Sequence, residues 1–314
     1  MRVFSRLVYL TFVLCLGLAW PAHAQTFDGA ARAEVIDDLI EKLRADYVFP
    51  EKAEAAAKDL STRLSRGDYS SISDRAVFAR TLTEHLQALT HDLHLRVRDT
   101  PPSAGGPAGG NRRPDPSSAF GRVEILESNV GYVEILSFAF PPEAIRAATR
   151  DALTKVADAD ALIFDVRANG GGTPGFVALV TSYIFGDEPV HLNSLYFRPA
   201  DRTDHFYTDP GVAGTKFGAT KPVYVLTSAR TFSAAEEFTY NLQARKRATI
   251  VGETTGGGAH PGGVQPLAHG MFVFVPSGRA INPITGTNWE GVGVVPDVRV
   301  SAAEALDAAL ELAR

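Results

Sequence analysis

Cysteine is almost missing from this sequence: there is one in 314 residues, Cys15, and it sits in an apolar stretch near the start of the chain. Once that stretch is removed, disulfides, cysteine-bound zinc and a cysteine nucleophile are all excluded, whatever the redox state of the compartment. Packing has to hold the fold. Positive charge is not in surplus either. With 31 Lys and Arg against 36 Asp and Glu the formal net charge is −5, which argues against nucleic acid and an anionic membrane as partners. A membrane-length apolar run is lacking as well. The run within MRVFSRLVYLTFVLCLGLAWPAHAQ is shorter than the roughly 20 residues that span a bilayer. Arg2 and Arg6 precede it and Ala22-His23-Ala24 closes it with a small-x-small pattern, so residues 1–24 read as a secretory signal peptide cut before Gln25. The expectation is a periplasmic or secreted protein without a membrane span after cleavage. The roughly 290 residues left suffice for one large domain, or a large and a small one.

Along those residues the apolar period changes. Val35, Leu39, Ile40 and Leu43, then Ala53 to Leu64 after Pro50, then Phe78, Leu82, Leu86 and Leu89 recur at helical spacing. Residues 25–99 are therefore expected to form a small helical domain. TPPSAGGPAGGNRRPDPSSAFG has no apolar period and is rich in Pro, Gly and Ser, so about 100–118 reads as a linker. From 119 to 314 short β-rich runs (VGYVEIL, ALIFDVR, KPVYVLTS, RATIVGE, MFVFVPS, GVVPDVRV) alternate with helical stretches near 142–156, 174–185 and 233–245. This is an α/β pattern. Runs such as PVYVL are apolar enough to be buried on both faces of a sheet.

Four stretches carry groups that could do chemistry. TSARTFSAAEEF puts Ser233 after a strand and at a helix start, where free N–H groups and the helix dipole favour a developing anion. The same Ser233-x-x-Glu236 spacing also fits a plain capping box. DVRANGGG ends a buried strand in three glycines, a turn whose N–H groups can face an oxygen or merely reverse the chain. It matches neither G-x-G-x-x-G nor a P-loop. HDLHLRV carries His91, Asp92 and His94; an imidazole has the pKa to take a proton from serine, or can be structural. No H-E-x-x-H or third ligand cluster points to zinc, so no metal or other cofactor is expected. NWEGVGVVPD offers Glu290, either a surface carboxylate or one that steadies an imidazolium. His260 in GGGAHPGG is a rival base.

Taken together and in this order, these stretches resemble the tail-specific, or C-terminal-processing, serine proteases. The likeness is closest to the branch with the interphotoreceptor retinoid-binding protein repeats and bacterial relatives, and its active-site pattern is similar to that of the tricorn core protease. RADYVFPEKA and HDLHLRV look like that branch's N-terminal domain, and LIFDVRANGGG, TSARTFSAAEEF, RATIVGETTGGGAHPGG and WEGVGVVPDV like its core. The resemblance implies a crotonase-like ββα spiral core behind a small helical domain, without the PDZ domain that lysine-type members insert at the linker. It implies Ser233 as nucleophile. Where those members carry a lysine base in G-E-x-T-x-G-K-G, this chain reads GETTGGGA with Gly258. The tricorn-like pattern instead makes His94 the base and Glu290 its supporting carboxylate, with the N–H groups of Ala234 and of Gly170 or Gly171 as oxyanion hole. The expected activity is proteolysis by an exported serine peptidase acting on a peptide or protein. A carrier of hydrophobic ligands, or an esterase with the same triad, are the alternatives.

Overall fold

The computed structural model describes residues 27–101 and 115–314. The signal peptide and most of the linker expected from the sequence lie outside the described residues.

The N-terminal part opens with three helices, α1 (Gly29–Asp46), α2 (Pro50–Arg66) and α3 (Arg75–Thr90). Their ends follow local chemistry. Asp28 accepts the Ala31 N–H and Asp74 the Val77 N–H as N-caps, Pro50 starts α2, and Gly67 ends it at φ 80°. After α3 comes a short strand, β1 (Arg96–Arg98).

The rest of the chain supplies β2 (Phe120–Leu126), β3 (Val130–Ile135), α4 (Pro142–Lys155), β4 (Ala161–Asp165), α5 (Pro174–Ser182), β5 (His191–Phe197), β6 (Arg202–Tyr207), β7 (Val223–Thr227), α6 (Ala234–Ala244), β8 (Thr249–Gly252), β9 (Gly262–Leu267), β10 (Met271–Pro276), β11 (Gly278–Ile281), β12 (Val298–Arg299) and α7 (Ala305–Leu312). Six of these strands form the central sheet in the order β12-β8-β7-β4-β3-β2, parallel except for the β2–β3 hairpin. Alternation along its strands is strict. Val133, Leu162, Phe164, Val225 and Ile250 point to a core shared with α4, α5 and α6, whereas Tyr132, Ile163, Tyr224 and Val251 meet Ala305 and Ala309 of α7 on the other face. Both faces being covered is why β4 and β7 are wholly buried and apolar up to their last residues, Asp165 and Thr227.

Two antiparallel sheets flank this centre, β11-β5-β6 and β1-β10-β9. The second joins the two parts of the molecule, since Val97 of β1 lies opposite Val273 of β10. Leu267, Met271, Val273 and Val275 belong to the same buried cluster as Val35, Leu39, Phe78 and Leu86 of the helices. The helical unit thus shares its core: the β9–β10 hairpin, nearly 200 residues later, completes it. The sequence reading left out β2, β5, β6, β9, β11 and α7, and it expected a full strand in GVVPDVRV, of which only Val298 and Arg299 pair.

Candidate active site

Ser233 stands between β7 and α6, as the residue that caps the helix. Its backbone is held at φ 56°, ψ −122°, a region that glycine enters freely and other residues rarely. The neighbours over-determine it. Phe232 donates its N–H to the Asn169 carbonyl (3.1 Å), and Glu236 Oε2 accepts the N–H of Ser233 itself (2.8 Å). Glu236 is fully buried and also accepts from Thr255 Oγ1 and from the N–H groups of Gly257 (2.6 Å) and Gly258 (2.9 Å). Burial pushes its carboxyl up, opposed by these four donors. One carboxylate therefore fixes both the serine and the GETTGGG turn. The sequence signalled Glu236 as a cap through S-x-x-E; its tie to residues 255–258 is long-range and left no mark in the spacing.

The glycine turn after β4 packs directly on the serine. A Cβ on Gly171 (φ 107°) would lie 2.7 Å from Ser233 Cβ, so no other residue fits there. Asn169, buried in this turn, donates to the Ile135 carbonyl (3.0 Å) and accepts the Gly171 N–H on its side-chain oxygen (2.9 Å). Gly170 has open space beside it and borders the same cleft as Ser233. The Ala234 N–H, at the first position of α6, is one of the donors a helix leaves unpaired at its start.

His94 comes from the turn between α3 and β1. It borders a cleft of about 480 Å³ together with Arg96, Gly170, Phe232, Ser233 and Phe274. Its ring lies against those of Phe232 (centroids 4.6 Å apart) and Phe274 (5.6 Å). Gly258 closes the arrangement: a Cβ there would run into the Phe232 ring and lie 2.6 Å from His94 Cε1. The position where lysine-type relatives would carry their base is empty of side chain, and the imidazole occupies the room. Burial drives the His94 pKa down to about 4, with the nearby Asp92 opposing and His260 and Arg96 adding to the drop. The ring is neutral at pH 7.

Behind His94 lies an acidic pair. Side-chain ligand atoms of Asp92, His94 and Glu290 all fall within 4.8 Å of one another. Asp92 is 1 % exposed and its Oδ2 accepts from Tyr47 Oη (3.1 Å) and His260 Nδ1 (2.8 Å), while its Oδ1 takes the backbone N–H of His94 (3.1 Å). Glu290 Oε2 accepts the Ala259 N–H and lies 3.5 Å from His260 Nδ1. Burial pushes the Glu290 carboxyl up to about 7, against the pull of His260. His94 Nδ1 and Glu290 Oε1 are both buried without a hydrogen-bond partner. His260, the rival base, is buried against Asp92 and the Phe49 ring and does not border the cleft with Ser233. Asp92 and Tyr47 are the members of this cluster to which the sequence reading gave no role. Tyr47 precedes Asp92 by 45 residues, and only the folded chain shows the link.

Comparison with known proteins agrees with this geometry. Residues 129–300 match peptidase family S41, and residues 29–124 match the N-terminal domain of peptidase S41 in eukaryotic IRBP. Among solved structures the chain is similar to a photosystem II D1 C-terminal processing protease (18% identity, TM-score 0.52, covering 87% of this chain and 94% of that one). It is also similar to a provisionally assigned peptidase of Parabacteroides merdae (18%, TM-score 0.64, 90% and 96%) and to a lipoprotein of Streptococcus agalactiae (14%, TM-score 0.56, 91% and 96%). At such identities these likenesses speak for the fold, and the family match speaks for the activity: the chain belongs to peptidase family S41 and is a serine peptidase.

Proposed function

We propose that the chain is an exported endopeptidase that cleaves peptide bonds through an acyl-enzyme on Ser233, with His94 as general base and Glu290 as the carboxylate that supports it. The observation that carries this reading is the fit of the His94 ring into the space over Gly258, in the cleft that Ser233 borders. The leader-like residues 1–24 support export.

The chemistry follows from the surroundings. Ser233 Oγ attacks the carbonyl carbon of the scissile bond while neutral His94 takes its proton. With Nδ1 buried, Nε2 is the nitrogen left for that exchange. Glu290 and the Asp92 pair lie close enough to stabilise the imidazolium that forms. The oxyanion would be met by the N–H groups of Ala234 and Gly170, because that of Gly171 is already given to Asn169. On collapse, the C–N bond breaks and the departing amine takes the proton from His94. A water then enters by the reverse route and releases the acid.

The test is labelling with a fluorophosphonate together with peptide hydrolysis. Ser233 should carry the adduct, and Ser233→Ala should lose both adduct and turnover. A folded protein that takes no label and cuts no peptide in a broad library would overturn the reading. The aromatic walls of the cleft, Phe232, Phe272 and Phe274, favour a second reading as a carrier of a hydrophobic ligand. Co-purified lipid with no hydrolysis would support that instead, and a preference for ester over amide substrates would mark an esterase.

A further inference from the structure

A second, smaller cavity of about 40 Å³ opens on the other side of the nucleophile, bordered by Ser233 and Ala234. Its walls are apolar: Pro174, Leu195, Ala259, Pro261 and Trp289. The Trp289 indole is fixed by its N–H to the Gly258 carbonyl (2.8 Å), so the walls belong to the same rigid frame as the base. The one ionisable group bordering this cavity is Glu237, one turn into α6.

Glu237 is unusual by its surroundings. It is buried, and its Oε1 has no hydrogen-bond partner. Among the described residues, no Lys, Arg or His makes an ion pair with it. Burial pushes its carboxyl up to about 7, and the buried Asn193 amide nearby opposes that shift without completing a hydrogen bond of its own. A buried acid oxygen left unsatisfied costs stability, and perturbed acids of this kind cluster at functional sites. Its helix already has a carboxylate for capping, Glu236, so Glu237 has no part in that task.

Resting on the peptidase reading above, we infer that this cavity takes the substrate side chain on the N-terminal side of the scissile bond, and that Glu237 selects side chains ending in an N–H donor, glutamine or lysine. The apolar walls suit the methylenes of either residue. The small size of the cavity places bulky aromatic rings last among the side chains. Glutamine's amide can satisfy a protonated or an ionised Glu237; lysine's ammonium pairs with the ionised form alone.

The experiment is a series of otherwise identical peptides varying at that one position (Gln, Lys, Leu, Phe), cut by the wild-type protein, Glu237→Gln and Glu237→Leu. For wild type, kcat/KM should be at least about tenfold higher for Gln or Lys than for Leu, with Phe lowest. Glu237→Leu should reverse the order between Leu and the polar residues. Glu237→Gln should lose Lys while retaining Gln if the ammonium is the natural ligand, and change Gln most if the amide is. The wild-type profile stands by itself should a variant fail to fold. A wild-type preference for Leu or Phe overturns the specificity assignment while leaving the peptidase intact; no cleavage of any peptide by a protein that also takes no fluorophosphonate overturns both.

Discussion

Ser233 is a cap and, on the function proposed above, also the nucleophile; a helix start accounts for how the two roles can coincide. A helix start supplies the free N–H groups that an oxyanion needs, and the positive φ of Ser233 puts the side chain there at a conformational cost of about 1–3 kcal/mol. The cost is measurable. Ser233→Gly should be more stable than Ser233→Ala by about 1 kcal/mol in urea unfolding, since glycine enters this region without strain; the reverse order would show that the backbone is not strained. Gly258 makes the complementary case. Gly258→Ala should push the imidazole and Phe232 apart and lower kcat/KM by about 100-fold, as a displacement near 1 Å does. An alanine variant as active as wild type would mean that His94 does not depend on that space. Ser233, His94, Glu290 and the glycines were legible as candidates because each lies in a short local pattern, each with a structural alternative until the four stretches were taken together. The sequence displayed neither Asn169 nor Tyr47 as members of the site, because their partners are distant in the chain.

At the level of elements, the base and its support are assembled from three places: the turn after α3 gives Asp92 and His94, the glycine stretch before β9 gives His260, and the loop before β12 gives Glu290. Coupling among them sets the pH profile. With Glu290 near 7 and His94 near 4, Glu290 is the first of the two to take a proton as pH falls. Protonation removes the negative charge that steadies the imidazolium, so kcat/KM should fall below about pH 7, and the apparent pKa belongs to the cluster as a whole. In Glu290→Gln that limb should vanish, leaving only the fall near pH 4, while the plateau drops by at least about 100-fold. An unchanged limb near 7 in this variant would assign the titration elsewhere. Helices with a regular apolar stripe and strands buried on both faces were readable at this level. β5, β6 and β9 were not: buried Asn193 and Ser194 interrupt the run in β5, exposed Arg202 and Thr203 begin β6, glycines and a proline break β9, and their pairing partners supply the order that the sequence pattern lacks.

For the whole molecule, the sequence suggested two parts separated by a linker. The described residues give a different mechanical picture. β1 is hydrogen-bonded to β10, and the helices share their core with the β9–β10 hairpin, so the turn that carries His94 is tied to the rest of the molecule by sheet pairing and burial. This could not be read from the chain, since MFVFVPS has the same look whether it covers a helical unit or extends a central sheet.

The shared core has a genetic corollary. If the two parts are held by burial and sheet pairing, the peptide bonds between residues 102 and 114 are dispensable once folding is complete. A protein carrying an engineered cleavage site there should stay a single species on gel filtration after cutting, and keep its hydrolytic rate. The two coding halves expressed together should reconstitute the same particle, whereas either alone should aggregate, with Leu95 and Val97 uncovered in one and Met271 and Val273 in the other.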